Sequence, residues 1–145
     1  NENTDDHENW FFWTLRAYQS IYAYEFQGDN LLLARENLLA TFVEYYQQRW
    51  NHEPSKRQVF KIANVIAWNI WQMDGLKYVI PFSCTEQVLE EFSMLKAEST
   101  KTIIPCPGCE SGDFRRHNGT YCKVFDWRKD NSLPFVTMLK GATVR

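Results

Sequence analysis

The chain has 145 residues, of which 44% are hydrophobic and 16% aromatic, so it can bury a core and is not expected to be disordered. It contains no run of about 18 apolar residues, which argues against a membrane span. The net charge of −2 is unevenly distributed. Residues 1–100 hold eight Lys/Arg and fourteen Asp/Glu (−6), and residues 101–145 hold eight and four (+4). The basic C-terminal part favours either a solvated surface or contact with phosphate.

The first half of the chain alternates between helix and strand signals. Apolar residues at helical spacing predict a helix over residues 8–20. The aromatic run Tyr22–Phe26 predicts a strand, and Asp29 is expected to cap a long helix that continues to about Trp50. Ser55 and Gln58 fit a capping box that opens a further helix.

The second half gives shorter signals. The predicted elements are strands at 71–73 and 78–82, a helix at 85–95, a linker at 97–102 and a strand at 123–127. A strand–helix–helix–strand order predicts an α/β layout with parallel strands.

An acid stands at or just beyond each of the first two predicted strands. Glu25 ends the first, and Asp74 follows the second. Ligands of doubly wound sheets bind beyond the carboxyl ends of the strands, where a carboxylate can accept hydrogen bonds from ribose hydroxyls or an adenine amino group. The alternatives are a solvated strand-edge charge for Glu25 and an ordinary turn acid for Asp74.

The stretches "YAYEFQGDNLLLARENLL" (22–39) and "NVIAWNIWQMDGL" (64–76) carry a resemblance to a known family. They are similar to the second and third motifs of class I S-adenosylmethionine-dependent adenine-N6 DNA methyltransferases of bacterial restriction-modification systems. The resemblance covers roughly residues 10–76. It implies that Glu25 holds the ribose of S-adenosylmethionine, that Asp74 holds the adenine amino group, and that Phe26 lies against the adenine ring.

Two motifs of that family have no counterpart in these 145 residues. They are the glycine-rich Asp-Pro-x-x-Gly-x-Gly loop, expected before the second motif, and the catalytic Asn-Pro-Pro-Tyr motif, expected after the third. The nearest candidates for the latter, Asn118-Gly119 and Asn131-Ser132, do not match. The chain is therefore expected to be a middle piece of a longer enzyme and to be inactive alone. The resemblance further implies a bacterial cytoplasmic protein that contacts DNA, and missing strands would leave sheet surface exposed for self-association.

A cysteine-rich segment predicts structural zinc. Cys106 and Cys109 form a Cys-x-x-Cys turn, and with His117 and Cys122 they make a local four-ligand set suited to tetrahedral Zn²⁺. Cys84 could replace His117 and give four thiolates. Free thiols and a redox-active pair are the alternatives, and disulfides are disfavoured because the first residues do not have the pattern of a secretory signal.

Two arginines lie inside this cysteine segment. Arg115 and Arg116 are candidates for contact with DNA phosphates, and a purely structural role for the segment is the alternative.

These observations predict an α/β fold: a partial Rossmann-like methyltransferase sheet with long helices plus a small zinc-knuckle insertion. The expected division is a methyltransferase α/β region at 1–100, the insertion at 101–130, and a tail toward the next strand at 131–145. Two functions remain open, a fragment of a DNA adenine-N6 methyltransferase carrying the adenosine side of the cofactor cleft, and a free-standing zinc-binding α/β interaction module without catalysis.

Overall fold

The computed structural model describes residues 6–93 and 98–139. The chain divides into two compact units. Unit 1 comprises Asn1–Gln72 and Lys123–Leu133, and unit 2 comprises Met73–Cys122 and Pro134–Arg145. These bounds do not coincide with the expected division at residues 100 and 130.

The described residues form mixed α/β structure with short sheets. The helices are α1 (His7–Gln19), α2 (Gly28–Trp50), α3 (Lys56–Asn69), α4 (Pro107–Ser111) and a 3-10 turn (Phe135–Met138). The strands are β1 (Ala23–Glu25), β2 (Ile70–Gln72), β3 (Gln87–Ser93), β4 (Glu98–Ile104), β5 (Lys123–Asp126) and β6 (Asn131–Pro134). In this part of the chain no helix has the length and apolarity needed to cross a membrane.

Unit 1 is built on three helices whose apolar faces meet. Phe42 and Tyr46 of α2 and Ile62 and Ile66 of α3 form its buried cluster together with Ile70. The three helices predicted in this unit are confirmed, as is the capping box at the start of α3. The prediction that Asp29 caps α2 is wrong, because Gln27 is the N-cap and Asp29 lies in the first turn of the helix. Local periodicity was sufficient here because these helices bury one continuous face.

The first two strands pair in parallel, as the element order predicts. Ala23 of β1 lies opposite Ile70 of β2, and Glu25 lies opposite Gln72. Helices α2 and α3 form the connection between them, and Arg35 of α2 fastens it by donating from Nε to the carbonyl of Ile70 at 3.0 Å. The sheets among the described residues have two strands each, so the wider Rossmann-like sheet is not supported.

The sequence interpretation of residues 85–102 is wrong. The described parts of the segments predicted as a helix over 85–95 and a linker over 97–102 instead contribute to the antiparallel pair β3–β4, and residues 94–97 lie outside the described residues. Val88 pairs with Ile103, and Glu90 pairs with Lys101 through a 2.7 Å ion pair. Several residues of β3 favour a helix, but pairing with β4 makes this segment a strand. The local sequence does not show that pairing.

The strand predicted at 78–82 is also absent from the described residues. Val79 makes only isolated bridges, to Asp74 and to Tyr121. Tyr78 and Phe82 have φ of 59° and 62°, which turns the chain out of an extended path. This turning segment lies directly before Cys84 in unit 2.

Candidate metal centre and strand-end acids

Unit 2 gathers three thiols and one imidazole at a single point. The cluster consists of Cys84, Cys106, Cys109 and His117. One potential ligand atom from each lies within 4.8 Å of the other three. Cys106 and His117 are buried, Cys84 is half-buried and Cys109 is exposed. Together the four groups could hold a metal such as zinc.

The distances from His117 to the three sulfur atoms match the sulfur-to-nitrogen edges expected for tetrahedral zinc. The sulfur atoms of Cys84, Cys106 and Cys109 lie 3.6, 3.5 and 3.7 Å from its Nδ1 atom. For tetrahedral zinc with bonds of ~2.3 Å to sulfur and ~2.0–2.1 Å to nitrogen, the sulfur-to-nitrogen edge is about 3.6 Å. One ring nitrogen has a single proton or lone pair, so it cannot hydrogen-bond to three thiols at once. A shared central cation accounts for all three distances.

The Cys-x-x-Cys turn is shaped to admit His117. Cys106 caps the short helix α4, whose first residue is a proline and whose end is Gly112 in the left-handed region, at φ 72°. A Cβ on Gly108 would lie 2.6 Å from both the backbone nitrogen and Nδ1 of His117. A side chain at position 108 would therefore displace the imidazole.

Cys84 is brought to the cluster by backbone pairing around the turn that carries it. The amide of Ile80 donates to the carbonyl of Thr120 at 2.8 Å. Asn118 makes two bonds with Thr85: its Nδ2 donates to the carbonyl at 2.7 Å, and its Oδ1 accepts from the amide at 3.1 Å. These bonds join the residues on both sides of Cys84 to the segment that follows His117.

The thiols of Cys84 and Cys106 have different pKa values. Burial raises the pKa of the Cys84 thiol to about 11. Burial also acts to raise the pKa of Cys106, but backbone amides, led by that of Asn118 at 3.3 Å, and the His117 ring lower it to about 6. Amides directed at sulfur in this way are suited to a thiolate ligand, because they stabilise negative charge on it.

A cation lies beside the exposed thiol. The Cys109 sulfur, ahead of Asp74 and Cys84, raises the pKa of the Lys77 ammonium, while burial opposes this. Three thiolates and one divalent ion carry a net charge of −1, so Lys77 offsets the charge of a filled site.

Cys122 is not part of the cluster, although the sequence assigned it as a ligand. Its side chain is fully buried, and burial raises its thiol pKa to about 11. Its amide donates to the carbonyl of Tyr78 at 3.0 Å, which fixes the backbone of this segment. Cys84 takes the fourth position, whereas the sequence had placed it as a substitute for His117. All four cysteines lie in the described part of the chain, and none forms a disulfide.

Glu25 and Phe26 lie where the first strand ends. Glu25 is the last residue of β1 and is half-buried, and its Oε1 accepts a 3.0 Å bond from the amide of Gln27. The Phe26 side chain is 44% exposed, and its carbonyl accepts from Nε2 of Gln72 at 3.0 Å. The strand end is thus held in place from both sides.

Asp74 serves a turn in unit 2. Its Oδ1 accepts from the amides of Leu76 and Lys77 at 3.0 and 3.2 Å, and its backbone pairs with Val79. This is the turn role that the sequence offered as an alternative, and it occupies one of the two carboxylate oxygens.

Arg115 and Arg116 are both exposed in unit 2, on the loop that precedes His117. The guanidinium of Arg115 lies 5.1 Å from the ring centre of Phe114, and the Arg115 amide donates to Asp113 at 3.0 Å. Both arginines are therefore presented to solvent on a loop whose backbone is fixed.

Comparison of the chain with known protein families, curated proteins and solved structures finds no match. The class of the protein is therefore defined by its own residues: a mixed α/β chain with a Cys₃His cluster that could hold a metal such as zinc.

Replacing Cys84 with serine should abolish stoichiometric metal binding, because the fourth tetrahedral position is lost. The matched change Cys122→Ser should leave metal content unchanged, although loss of a buried thiol will lower stability. Metal analysis of both purified variants after loading with Zn²⁺ or Co²⁺ measures this. Loss of metal in Cys122→Ser with retention in Cys84→Ser would overturn the assignment.

The glycine at position 108 should matter for the same site. Gly108→Ala is expected to weaken metal affinity at least about tenfold, since the new Cβ pushes His117 from its position. Gly75→Ala in the same unit is the control, because a Cβ there meets nothing within 4 Å. Competition with a chromophoric chelator gives both affinities, and equal values for the two variants would contradict the packing argument.

Proposed function

We propose that the chain contributes the adenosine-binding side of the cofactor cleft in an S-adenosylmethionine-dependent adenine-N6 DNA methyltransferase of a restriction-modification system. The observation that carries this proposal is that Glu25 closes the first strand of a parallel pair whose connection is helical. A bacterial cytoplasmic setting belongs to the same proposal.

The environment of Glu25 suits a ribose ligand. A carboxylate at the carboxyl end of a parallel strand faces outward, where ligands of such sheets bind. The amide of Gln27 donates a hydrogen bond to Oε1 of Glu25, and Oε2 takes no part in that bond. Phe26 follows directly and is 44% exposed, and an aromatic ring is suited to lie against an adenine.

Asp74 would take the adenine amino group. The bonds from Leu76 and Lys77 both end on Oδ1, so Oδ2 lies outside them and a further donor could reach it. Bonds from two turn amides would hold such an acceptor rigidly.

Zn²⁺ is the metal that we propose for the Cys₃His cluster, with a structural role. Three thiolates and an imidazole form a closed tetrahedral donor set of the kind that structural zinc sites use. The buried hydrophobic side chains among the described residues of unit 2 are Met73, Val79, Cys106 and Cys122. So small a core makes metal binding a large part of the unit's stability.

The chain alone is expected to transfer no methyl group. Its sequence contains neither the glycine-rich loop that lies against the methionine part of the cofactor nor an Asn-Pro-Pro-Tyr motif to hold the target base. Self-association through exposed sheet surface stays a prediction.

A second function is favoured by the metal cluster. This alternative is a free-standing zinc-binding α/β interaction module without catalysis, and the Cys₃His cluster supports it. Cofactor binding separates the two candidates, since only the first requires it.

The cofactor test uses the zinc-loaded chain and S-adenosylhomocysteine followed by NMR. Binding should shift the resonances of Glu25 and Phe26. Glu25→Gln should weaken binding roughly tenfold, because hydrogen bonds to a charged acceptor contribute about 1.5–3 kcal/mol.

Glu36→Gln is the control for this test, because it removes an exposed carboxylate from α2 of the same unit. Shifts confined to other residues, or none at millimolar cofactor, would rule out the methyltransferase candidate. Methyl transfer to DNA by the chain alone would refute the expectation of inactivity.

The exposed arginines give a separate prediction about DNA. Replacing both Arg115 and Arg116 with glutamine should weaken binding to a DNA duplex and lower the slope of log affinity against log salt by about 1 per lost phosphate contact. Fluorescence anisotropy at several salt concentrations measures the slope. An unchanged slope would leave the loop with a structural role alone.

A further inference from the structure

Two arginines of unit 1, Arg16 and Arg128, line a cavity. A cavity of about 310 Å³ opens between the C-terminal turn of α1, the start of β1 and the turn that follows β5. Its lining includes Arg16, Ser20, Tyr22, Asp126, Trp127 and Arg128. Arg128 follows β5 in the chain, and the fold brings it beside the C-terminal turn of α1.

The walls of this cavity are fixed by hydrogen bonds. The Tyr22 hydroxyl donates to the carbonyl of Phe125 at 2.8 Å. Nε1 of Trp127 donates at 2.8 Å to Oδ1 of Asn69, whose side chain is buried. A site held in this way needs little ordering when a ligand binds.

Asp126, the acid in the cavity lining, accepts hydrogen bonds from the turn that follows it. Oδ1 of Asp126 accepts from the amides of Arg128 and Lys129 at 2.9 and 3.2 Å. After burial, the Asp126 charge is the second cause that raises the pKa of the Tyr22 hydroxyl, so the acid also acts on this wall.

The two guanidinium groups are available for an anion. Arg16 donates from Nη1 to Oε1 of Gln19 at 3.3 Å, an exposed contact with a neutral side chain. Within residues 6–93 and 98–139, no ion pair joins Arg16 or Arg128 to a carboxylate. Two arginines and one aspartate give this lining a formal charge of +1.

We propose that this cavity binds a backbone phosphodiester of a nucleic acid. Guanidinium groups match the oxygens of phosphate in a bidentate manner, and Arg16 and Arg128 both line this cavity. The rings of Tyr22 and Trp127 give the adjoining sugar or base an apolar surface.

Charge favours a diester over a free phosphate or a nucleotide. A diester carries one negative charge, which the lining charge of +1 matches. A phosphate monoester carries about −1.5 to −2 at neutral pH, and Asp126 would repel the excess. The cavity also exceeds what one phosphate needs, so it can admit part of a chain. The inference does not depend on methyl transfer or on Glu25.

The test measures binding of a short fluorescein-labelled DNA duplex to the zinc-loaded full chain by anisotropy. Arg16→Gln and Arg128→Gln should each weaken binding roughly tenfold, since each loses a charged hydrogen bond. Because both arginines address one phosphate, each single variant should lower the salt slope by less than 1, and the double variant should lower it by about 1.

Arg57→Gln is the matched control, because this exposed arginine of α3 lies in the same unit but outside the cavity lining. It should bind DNA like the unchanged chain. An equal loss in Arg57→Gln, unchanged binding in both cavity variants, or a loss of two slope units in the double variant would overturn the proposal. Circular dichroism and thermal unfolding confirm that each variant is folded.

Competition distinguishes the source of the phosphate. Neither inorganic phosphate nor AMP at millimolar concentration should displace the duplex beyond the effect of matched ionic strength. Displacement by either at micromolar concentration would make this a monoester site and overturn the diester assignment. Cofactor binding at Glu25 should be the same in the arginine variants and in the unchanged chain. A negative result for the phosphodiester site is therefore distinct from a negative result for the proposed methyltransferase function.

Discussion

Three thiols and an imidazole within 4.8 Å of one another impose the main physical constraint on unit 2. Thiolates at this separation repel, and protonated thiols would leave the amides directed at Cys106 without an anion. A divalent cation would resolve both problems. The turn at Gly108 and the bonds between Asn118 and Thr85 then serve to bring four ligands to one centre.

The same constraint explains how a unit with few buried side chains keeps strained backbone. Tyr78 and Phe82 adopt positive φ, which is unfavourable for aromatic residues. Such strain persists only where surrounding contacts fix the chain. The pairing of Ile80 with Thr120 and the position of Cys84 provide those contacts.

Unit 1 is organised differently, by helix packing that supports a short parallel pair. The aromatic and aliphatic cluster of α2 and α3 includes Ile70, the first residue of β2, which pairs with Ala23 of β1. Its polar features are local and rigid: Glu25 at a strand end, and Arg16 with Arg128 at the rim of a cavity. Rigid placement of charged groups is what recognition of nucleotides and phosphates requires, and both proposals for this unit depend on it.

The sequence by itself determined the helices of unit 1, the capping box at Ser55, the strand that ends at Glu25 and the Cys-x-x-Cys turn. These features depend on neighbours within a few residues, so periodicity and capping chemistry were enough to find them. Residues 106, 109 and 117 were assigned for the same reason. The roles of Glu25, Phe26 and Asp74 in cofactor binding stay predictions that rest on resemblance.

Only the tertiary structure decided the β3–β4 pair, the choice of Cys84 over Cys122 and the meeting of Arg16 with Arg128. Each depends on partners far apart in the chain. Cys122 is closer in sequence to His117 than Cys84 is, yet Cys122 is buried outside the cluster while backbone pairing around Ile80 carries Cys84 into it. Side-chain chemistry shows which residues can bind a metal or a phosphate, but long-range backbone pairing determines which of them meet.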